Sequence, residues 1–302
     1  MNIIHLKYAV EVSKAGSINR AAEALLVGQP NLSRAIKELE NSLGITIFVR
    51  TTKGMKTTLE GEKFLIDARK ILRQFEELEK AYSKKSEKGI EFSFYAPRAG
   101  YIAAAFAEFI KRIDTDGANI KYEEASAEEA ISKVKRGDCA LSIIRYEERL
   151  SGYFGELIRE NGLAEMEIGK FSEVLIARKD SELFEKKDIT ESDLREYMEL
   201  VSPEDGEKTD SLHIEPGGKI KIHERYIQLE VLSGNDKTFM RGMPIPEKTL
   251  DLWGLAQRKV EGLCAEYKDS VVYEKEYKFL QTDKLFLEEL FKSRDKIIKS
   301  EA

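Results

Sequence analysis

Polar and basic side chains collect on one side of the segment 29–43, QPNLSRAIKELENSL. Leu32, Ile36 and Leu39 are four and three positions apart, so they form an apolar stripe along one face of a helix. The other side, near the start, carries amide, hydroxyl and cationic groups: Gln29, Asn31, Ser33, Arg34 and Lys37. Groups of these kinds read base edges in the major groove of DNA. The segment therefore predicts a DNA-reading helix.

The preceding residues supply the elements that must hold this helix. Leu6–Ala15 is predicted to be a helix that ends at Gly16, and Ser17–Leu26 a second one. The pair Val27-Gly28 makes a short turn, and helix, tight turn and polar-faced helix together form a helix-turn-helix. We expect the Ser17 hydroxyl to cap the second helix, and it is also placed to bind a phosphate oxygen.

A basic hairpin is predicted directly after the reading helix. Ile45–Val49 alternates as a strand does, and the glycine-centred turn that follows leads into a return strand. The polar residues of this wing are Arg50, Thr51, Lys53 and Lys56. We expect them to hold phosphates, which positions a protein on DNA without reading sequence. The alternative is a basic hairpin that is merely solvated.

A long helix is predicted from an N-cap at Thr58 to about Lys84. Its apolar residues step by four and three over nearly three heptads: Phe64, Ala68, Ile71, Phe75, Leu78 and Tyr82. An exposed helix with one such stripe needs a partner, and we expect a second copy of the chain to supply it. The alternative is that the stripe packs on its own chain.

The charge is unevenly distributed along the 302 residues, whose net value is −6. Residues 1–89 have a balance of +5 and residues 90–302 a balance of −11. This pattern is typical of a DNA-binding module joined to an acidic body. We found no long apolar run and no signal peptide, and therefore expect a cytoplasmic protein without a membrane partner.

Catalytic and metal sites are not expected. The two cysteines are 125 positions apart, the three histidines lack ligand spacing, and phosphate-cradling and nucleophile-elbow motifs are missing. We therefore predict no enzyme activity, no cofactor and no metal. The alternative is an enzyme whose α/β body acts under DNA-borne regulation.

Strands and helices alternate from residue 90 onward. Glu91–Ala96, Ile120–Glu124 and Cys139–Ile144 are predicted strands separated by helices, which indicates a mostly parallel sheet. A second cycle begins near Phe171. Tyr226–Leu232 fits a helix or a strand, and Leu250–Tyr267 is predicted to be a helix.

The residues SINRAAEALLVGQPNLSRAIKELENSLGITIFVR, followed by Thr58 and Gly61, resemble the LysR-type transcriptional regulators. The resemblance implies an α/β protein with a winged helix-turn-helix at 1–58, a linker and dimerisation helix at 59–89, and an effector-binding domain at 90–302. That domain resembles a periplasmic binding protein, with lobe I at about 90–165 and 270–302 and lobe II at about 166–269. Gly28 departs from the pattern, since serine or threonine usually stands there.

The resemblance also implies an effector in the cleft between the lobes. Ligands of open α/β sheets bind at strand carboxyl ends, and the residues expected there are Arg98, Ala99, Gly100, Tyr101, Ser126, Arg145 and Ser202. An Arg98 or Arg145 side chain that faces the cleft would suit an anionic metabolite as the effector. Arg145 paired with Glu147 or Glu148 at the surface is the alternative.

The expected function is that of a LysR-type regulator. It binds double-stranded DNA in a sequence-specific way as a homodimer or homotetramer and responds to a small-molecule effector. The alternative is a constitutive DNA-binding oligomer without a ligand.

Overall fold

The computed structural model describes residues 2–52, 54–82, 89–202 and 215–301, except the side chains at 76, 77, 79–82 and 298–301. The amino-terminal module consists of α1 (Ile3–Ala15), α2 (Ile18–Ala24), α3 (Gln29–Leu43), the hairpin β1 (Phe48–Thr51) and β2 (Gly54–Thr57), and α4 (Leu59–Tyr82). One apolar core joins the three short helices, the hairpin and the start of α4. Because α4 shares this core, it begins as a rigid part of the module.

The first lobe of the body contains two small sheets. Strands β3 (Glu91–Ala96) and β4 (Asn119–Glu124) pair in parallel. The other sheet has the order β5-β12-β6, with β5 (Leu141–Glu147), β12 (Glu266–Glu274) and β6 (Leu163–Ser172), and all its pairs are antiparallel. Its helices are α5 (Gly100–Ile110), α6 (Ala127–Lys135), α7 (Ser151–Glu160) and α12 (Gln281–Glu301). Phenylalanine rings from β3, α5 and α12 form its main core.

The second lobe is built on one five-stranded sheet, in the order β11-β7-β10-β8-β9. Its strands are β7 (Val174–Arg178), β8 (Met198–Val201), β9 (Gly218–Lys221), β10 (Thr238–Gly242) and β11 (Leu255–Arg258). Its helices are α8 (Glu182–Glu185), α9 (Glu191–Leu194), α10 (Arg225–Gly234) and α11 (Glu247–Trp253). Apolar cores cover both faces of the sheet, as expected where helices flank strands on each side.

The structure corrects several sequence predictions. The helix predicted at Leu250–Tyr267 is wrong: α11 ends at Gly254, which adopts a left-handed φ of 62°, and a strand follows at once. The segment 226–232 is helical. The chain leaves the first lobe after Ser172 and re-enters it at Glu266, because β6 and β12 pair along their whole length. We therefore propose lobe limits of about 90–172 with 266–301 and of 173–265.

The described helices are short or carry many charged residues. None of those in the described ranges is long and apolar enough to cross a bilayer.

Candidate nucleic-acid interface

The reading helix α3 buries one face and exposes the other. Leu32, Ala35, Ile36 and Leu39 are buried in the module core. Gly28 occupies the N-cap position with extended backbone, and its carbonyl accepts hydrogen bonds from Asn31 and Leu32. The polar side chains predicted to read bases are Gln29, Asn31, Arg34 and Lys37, which are exposed, and Ser33, which is half-buried. The predicted reading face is therefore open to solvent.

Hydrogen bonds fix the wing beside this helix. The Glu40 carboxylate near the end of α3 accepts from the backbone amides of Ile47 at 2.7 Å and Phe48 at 3.0 Å. The Met55 amide donates to the carbonyl of Gly16 at 3.0 Å, so β2 rests on the turn between α1 and α2. Gly54 has a φ of 120°, and a Cβ there would lie 2.7 Å from that same carbonyl. Only glycine fits this contact without a shift.

The phosphate-binding candidates lie at this junction. Arg50, Thr51 and Lys56 are exposed on the hairpin. The Thr51 hydroxyl donates to the carbonyl of Gly54 and closes the hairpin. Lys53 lies outside the described residues.

Ser17 directly follows the glycine on which the wing rests. It stands at the N-cap of α2, but its hydroxyl makes no capping hydrogen bond, so that prediction is wrong. Its role as a phosphate ligand stays a prediction.

A second junction ties α4 to the wing. The Thr58 hydroxyl accepts from the amide of Gly61 at 2.9 Å, as predicted for an N-cap, and donates to the carbonyl of Thr46 at 2.5 Å. A Cβ on Gly61 would lie 2.2 Å from the carbonyl oxygen of Ile47. The helix therefore starts in backbone contact with the segment entering the wing.

The apolar stripe of α4 divides into two parts. Ala68 is buried in its own chain, and Phe64 packs against the same core, so the predicted dimer seam is wrong at Ala68. Farther along, Ile71 is 43% exposed and Leu78 is 56% exposed, while Phe75 is half-buried with the Lys7 ammonium 5.8 Å from its ring centre. The side chain of Tyr82 lies outside the described residues. Within this stripe, the part up to Ala68 therefore packs into the module core, while Ile71 and Leu78 leave apolar surface open.

In the body, Arg145 is paired inside the protein and not at the surface. Its guanidinium donates to both carboxylate oxygens of Asp269, from Nε at 2.7 Å and from Nη2 at 2.5 Å. The Tyr101 hydroxyl donates to the same carboxylate at 2.6 Å. The predicted alternative partners, Glu147 and Glu148, are bound to Arg149 and Lys170 instead.

Burial and neighbouring charges shift the pKa values of Tyr101 and Arg145. Burial raises the pKa of the Tyr101 phenol well above its ordinary value, and the Asp269 carboxylate adds to the rise. For the Arg145 guanidinium, burial is the largest influence and lowers the pKa, but attraction and hydrogen bonding to Asp269, together with the nearby Tyr101 and Tyr267, give a net rise. The phenol thus stays neutral and the guanidinium charged, which keeps all three groups hydrogen-bonded.

Arg98 bridges the two lobes. Its guanidinium donates to Glu124 of the first lobe from Nε at 2.7 Å, with Nη2 at 2.6 Å from the same oxygen. Nη1 donates to the backbone carbonyl of His223 in the second lobe at 2.9 Å. The Arg98 carbonyl in turn accepts from Arg145 at 3.1 Å. Arg98 and Arg145, the two arginines predicted to bind an anionic effector, are therefore each paired with a carboxylate of the chain itself.

The remaining predicted effector residues have mixed positions. Ala99 is buried at the N-cap of α5, and a Cβ on Gly100 would lie 2.5 Å from the Pro246 ring of the second lobe. Ser126 is exposed and caps α6 by accepting from the Glu129 amide, so it acts within its helix. Ser202 is buried and has a polar contact.

Sequence reasoning missed four groups of the cleft: Glu124, His223, Pro246 and Asp269. Asp269 had a signal, since it is a carboxylate next to the apolar run SVVY and such a charge in a buried strand needs a partner.

Comparison with known proteins supports the amino-terminal assignment. Residues 3–62 match the family described as "Bacterial regulatory helix-turn-helix protein, lysR family". The chain is 43% identical over 72 residues to the HTH-type transcriptional regulator TfdT of Cupriavidus pinatubonensis, which is 24% of this chain and 32% of that protein. It is 45% identical over 76 residues to the Hca operon transcriptional activator HcaR of Escherichia coli, 25% of this chain and 26% of that protein. The chain thus spans about a third or less of these curated relatives.

Solved structures extend the likeness to the whole chain at low sequence identity. A full-length OxyR from Pseudomonas aeruginosa is 17% identical with a TM-score of 0.64, over 97% of this chain and 94% of that one. Full-length LysG from Corynebacterium glutamicum with bound effector Arg is 16% identical with a TM-score of 0.60, over 98% of both chains. Full-length CbnR complexed with target DNA is 20% identical with a TM-score of 0.53, over 97% of this chain and all of that one. Residues 3–62 are therefore similar to the lysR family of bacterial regulatory helix-turn-helix proteins, and the chain as a whole shares the fold of these solved full-length regulators.

Proposed function

We propose that this protein is a sequence-specific DNA-binding transcriptional regulator of the LysR type. The proposal rests on the two faces of α3. One face buries the apolar stripe, and the other exposes four polar side chains to solvent: Gln29, Asn31, Arg34 and Lys37. The start of a recognition helix is the part that meets base edges in helix-turn-helix proteins. The wing presents Arg50 and Lys56 on the same module, where they would hold phosphates. A DNA partner also implies a cytoplasmic location.

We infer that two copies pair through the later turns of α4. Ile71 and Leu78 project apolar surface there, and Phe75 lies between them on the same stripe. Spacing by three and four residues lets two such helices interlock. Pairing would place two reading helices on one duplex, which suits a site with two half-sites. A homodimer is the minimum assembly, and a homotetramer is consistent with it.

The body is proposed to respond to a small-molecule effector. Two α/β lobes meet where Arg98 and Gly100 of the first contact His223 and Pro246 of the second, and the chain crosses between the lobes twice. Such a pair of lobes can adopt two arrangements, and an effector shifts them only if it binds one more tightly. The LysG structure, which shares this fold, is described with its effector Arg bound.

A specific observation favours a second candidate, a constitutive DNA-binding regulator. The cleft is closed by the chain itself, since Arg98 joins Glu124 to the His223 carbonyl and Gly100 abuts Pro246. An anionic effector would have to displace Glu124 or Asp269 from its arginine. Thermal-shift screening with amino acids, aromatic acids and sugar acids separates the candidates, because a ligand of the folded state raises the melting temperature.

Gel-shift titrations at several salt concentrations test the DNA-binding proposal. Arg34→Ala should weaken binding to the preferred duplex by about 1–3 kcal/mol if its guanidinium is bidentate to a guanine. Lys56→Ala should weaken binding to all duplexes alike and reduce the salt slope by about one. Lys111→Ala, which removes an exposed lysine from the body, is the matched control and should change neither quantity. Equal behaviour of all three variants would contradict the proposed interface.

A further inference from the structure

Leu26 adopts a backbone conformation that leucine rarely takes. Helix α2 ends with the amide of Leu26 bonded to the carbonyl of Glu23 and the amide of Val27 bonded to that of Ala22. These two hydrogen bonds form a Schellman motif. The motif requires a left-handed backbone conformation at the first residue beyond the cap, where glycine is usual. Leu26 has a φ of 54°, and within the described ranges it is the only residue other than glycine with a positive φ.

The module uses glycine at its two comparable helix ends. Gly16 ends α1 with a φ of 61°, and Gly44 ends α3 with a φ of 71°. At the end of α2 the same geometry carries leucine, whose Cβ is crowded against the backbone there. Packing does not compensate for the strain, because Leu26 is 93% exposed. A strained and exposed apolar side chain points to a role outside the folding of this chain.

The surroundings of Leu26 place it beside the reading helix. It lines a shallow concavity together with Asn19, Glu23 and Gln29. Gln29 is the first residue of α3, the helix proposed to enter the major groove. None of the side chains that line the concavity is cationic, and the Glu23 carboxylate would repel a phosphate. Its composition therefore suits a base edge better than a phosphate.

We propose that Leu26 determines specificity by packing against the C5 methyl group of a thymine next to the bases met by Gln29. The methyl group of thymine is the apolar feature of the major groove, and an apolar side chain is its natural partner. The contact removes the leucine from water only when DNA is bound, which explains why the free protein leaves it exposed. This inference rests on the proposed DNA-binding function and deepens it.

A thymine-to-deoxyuridine scan tests the proposal, because that exchange removes only the methyl group. The full-length chain first selects its preferred duplex from a random-sequence pool, and each thymine is then replaced in turn. For the unchanged protein we expect one thymine in each half-site at which deoxyuridine weakens binding about fourfold, the worth of one buried methyl group. The same scan with Leu26→Asn should show no loss at that position. Asparagine tolerates the left-handed conformation, so the variant should also melt at a higher temperature.

Leu252→Asn is the matched control, since Leu252 is 80% exposed but lies on α11 of the second lobe. It should keep the full methyl sensitivity. The proposal is overturned if the protein selects a duplex but Leu26→Asn gives the same scan as the unchanged chain. A chain that selects no sequence at all would overturn the proposed function, and this inference with it.

Discussion

Removal of the Arg98 side chain should loosen the closed cleft. In Arg98→Ala the ion pair to Glu124 is lost, but both groups belong to the first lobe, so this loss by itself leaves the lobes where they are. The bond that crosses the cleft runs from Nη1 to the His223 carbonyl at 2.9 Å. A hydrogen bond from a charged donor contributes about 1.5 kcal/mol at the lower end of its range, which is appropriate for a side chain that is 21% exposed. The equilibrium between open and closed lobes should shift by about tenfold toward the open arrangement.

Hydrogen–deuterium exchange measures this shift directly. Peptides that cover 222–224 and 243–246 should exchange faster in Arg98→Ala, because both stretches face the first lobe. Arg112→Ala is the matched control, since Arg112 also binds two carboxylates, Glu288 and Glu289, but wholly within the first lobe. Unchanged exchange in Arg98→Ala, or an equal increase in the control, would refute the view that Arg98 holds the lobes together.

Two further predictions concern buried groups of the body. Asp269→Leu leaves the Arg145 guanidinium buried without a counter-charge and should lower the free energy of unfolding by about 3–5 kcal/mol, as followed by urea denaturation. Combining it with Arg145→Met should restore most of that stability, and a single variant that loses under about 1 kcal/mol would contradict the network. Burial raises the pKa of the Cys139 thiol from 9.0 to about 12, so the folded chain keeps its proton where the unfolded chain loses it. Stability should therefore fall as the pH rises from about 9 toward 12, and Cys139→Ala should fall less steeply over that range in the same denaturation assay.

Local patterns sufficed to predict the amino-terminal module. The stripe of Leu32, Ile36 and Leu39 and the glycines at 16 and 44 act within one or two helical turns, so their consequences are readable from spacing. The wing strand was predicted three residues early, because β1 starts at Phe48, the point at which pairing with Thr57 becomes possible. The helix predicted from Leu250 was extended too far, to Tyr267. Gly254 stops α11, while the apolar residues beyond it fit helix and strand equally well.

The sequence by itself determined which polar and basic residues of α3 are exposed to solvent, since burying one face of the helix exposes the other whatever the module packs against. Only the tertiary structure decided which groups pair with Arg98 and Arg145 at the cleft. Arg145 and Asp269 are 124 positions apart and meet through the pairing of β5 with β12, and Arg98 reaches His223 across 125 positions. Partners so distant in the chain leave no local pattern, because the strand register that joins Arg145 to Asp269 and the contact between lobes that joins Arg98 to His223 are properties of the whole fold. The same holds for α4, whose stripe looks uniform in sequence but is covered by α1 and the module core only in its first turns.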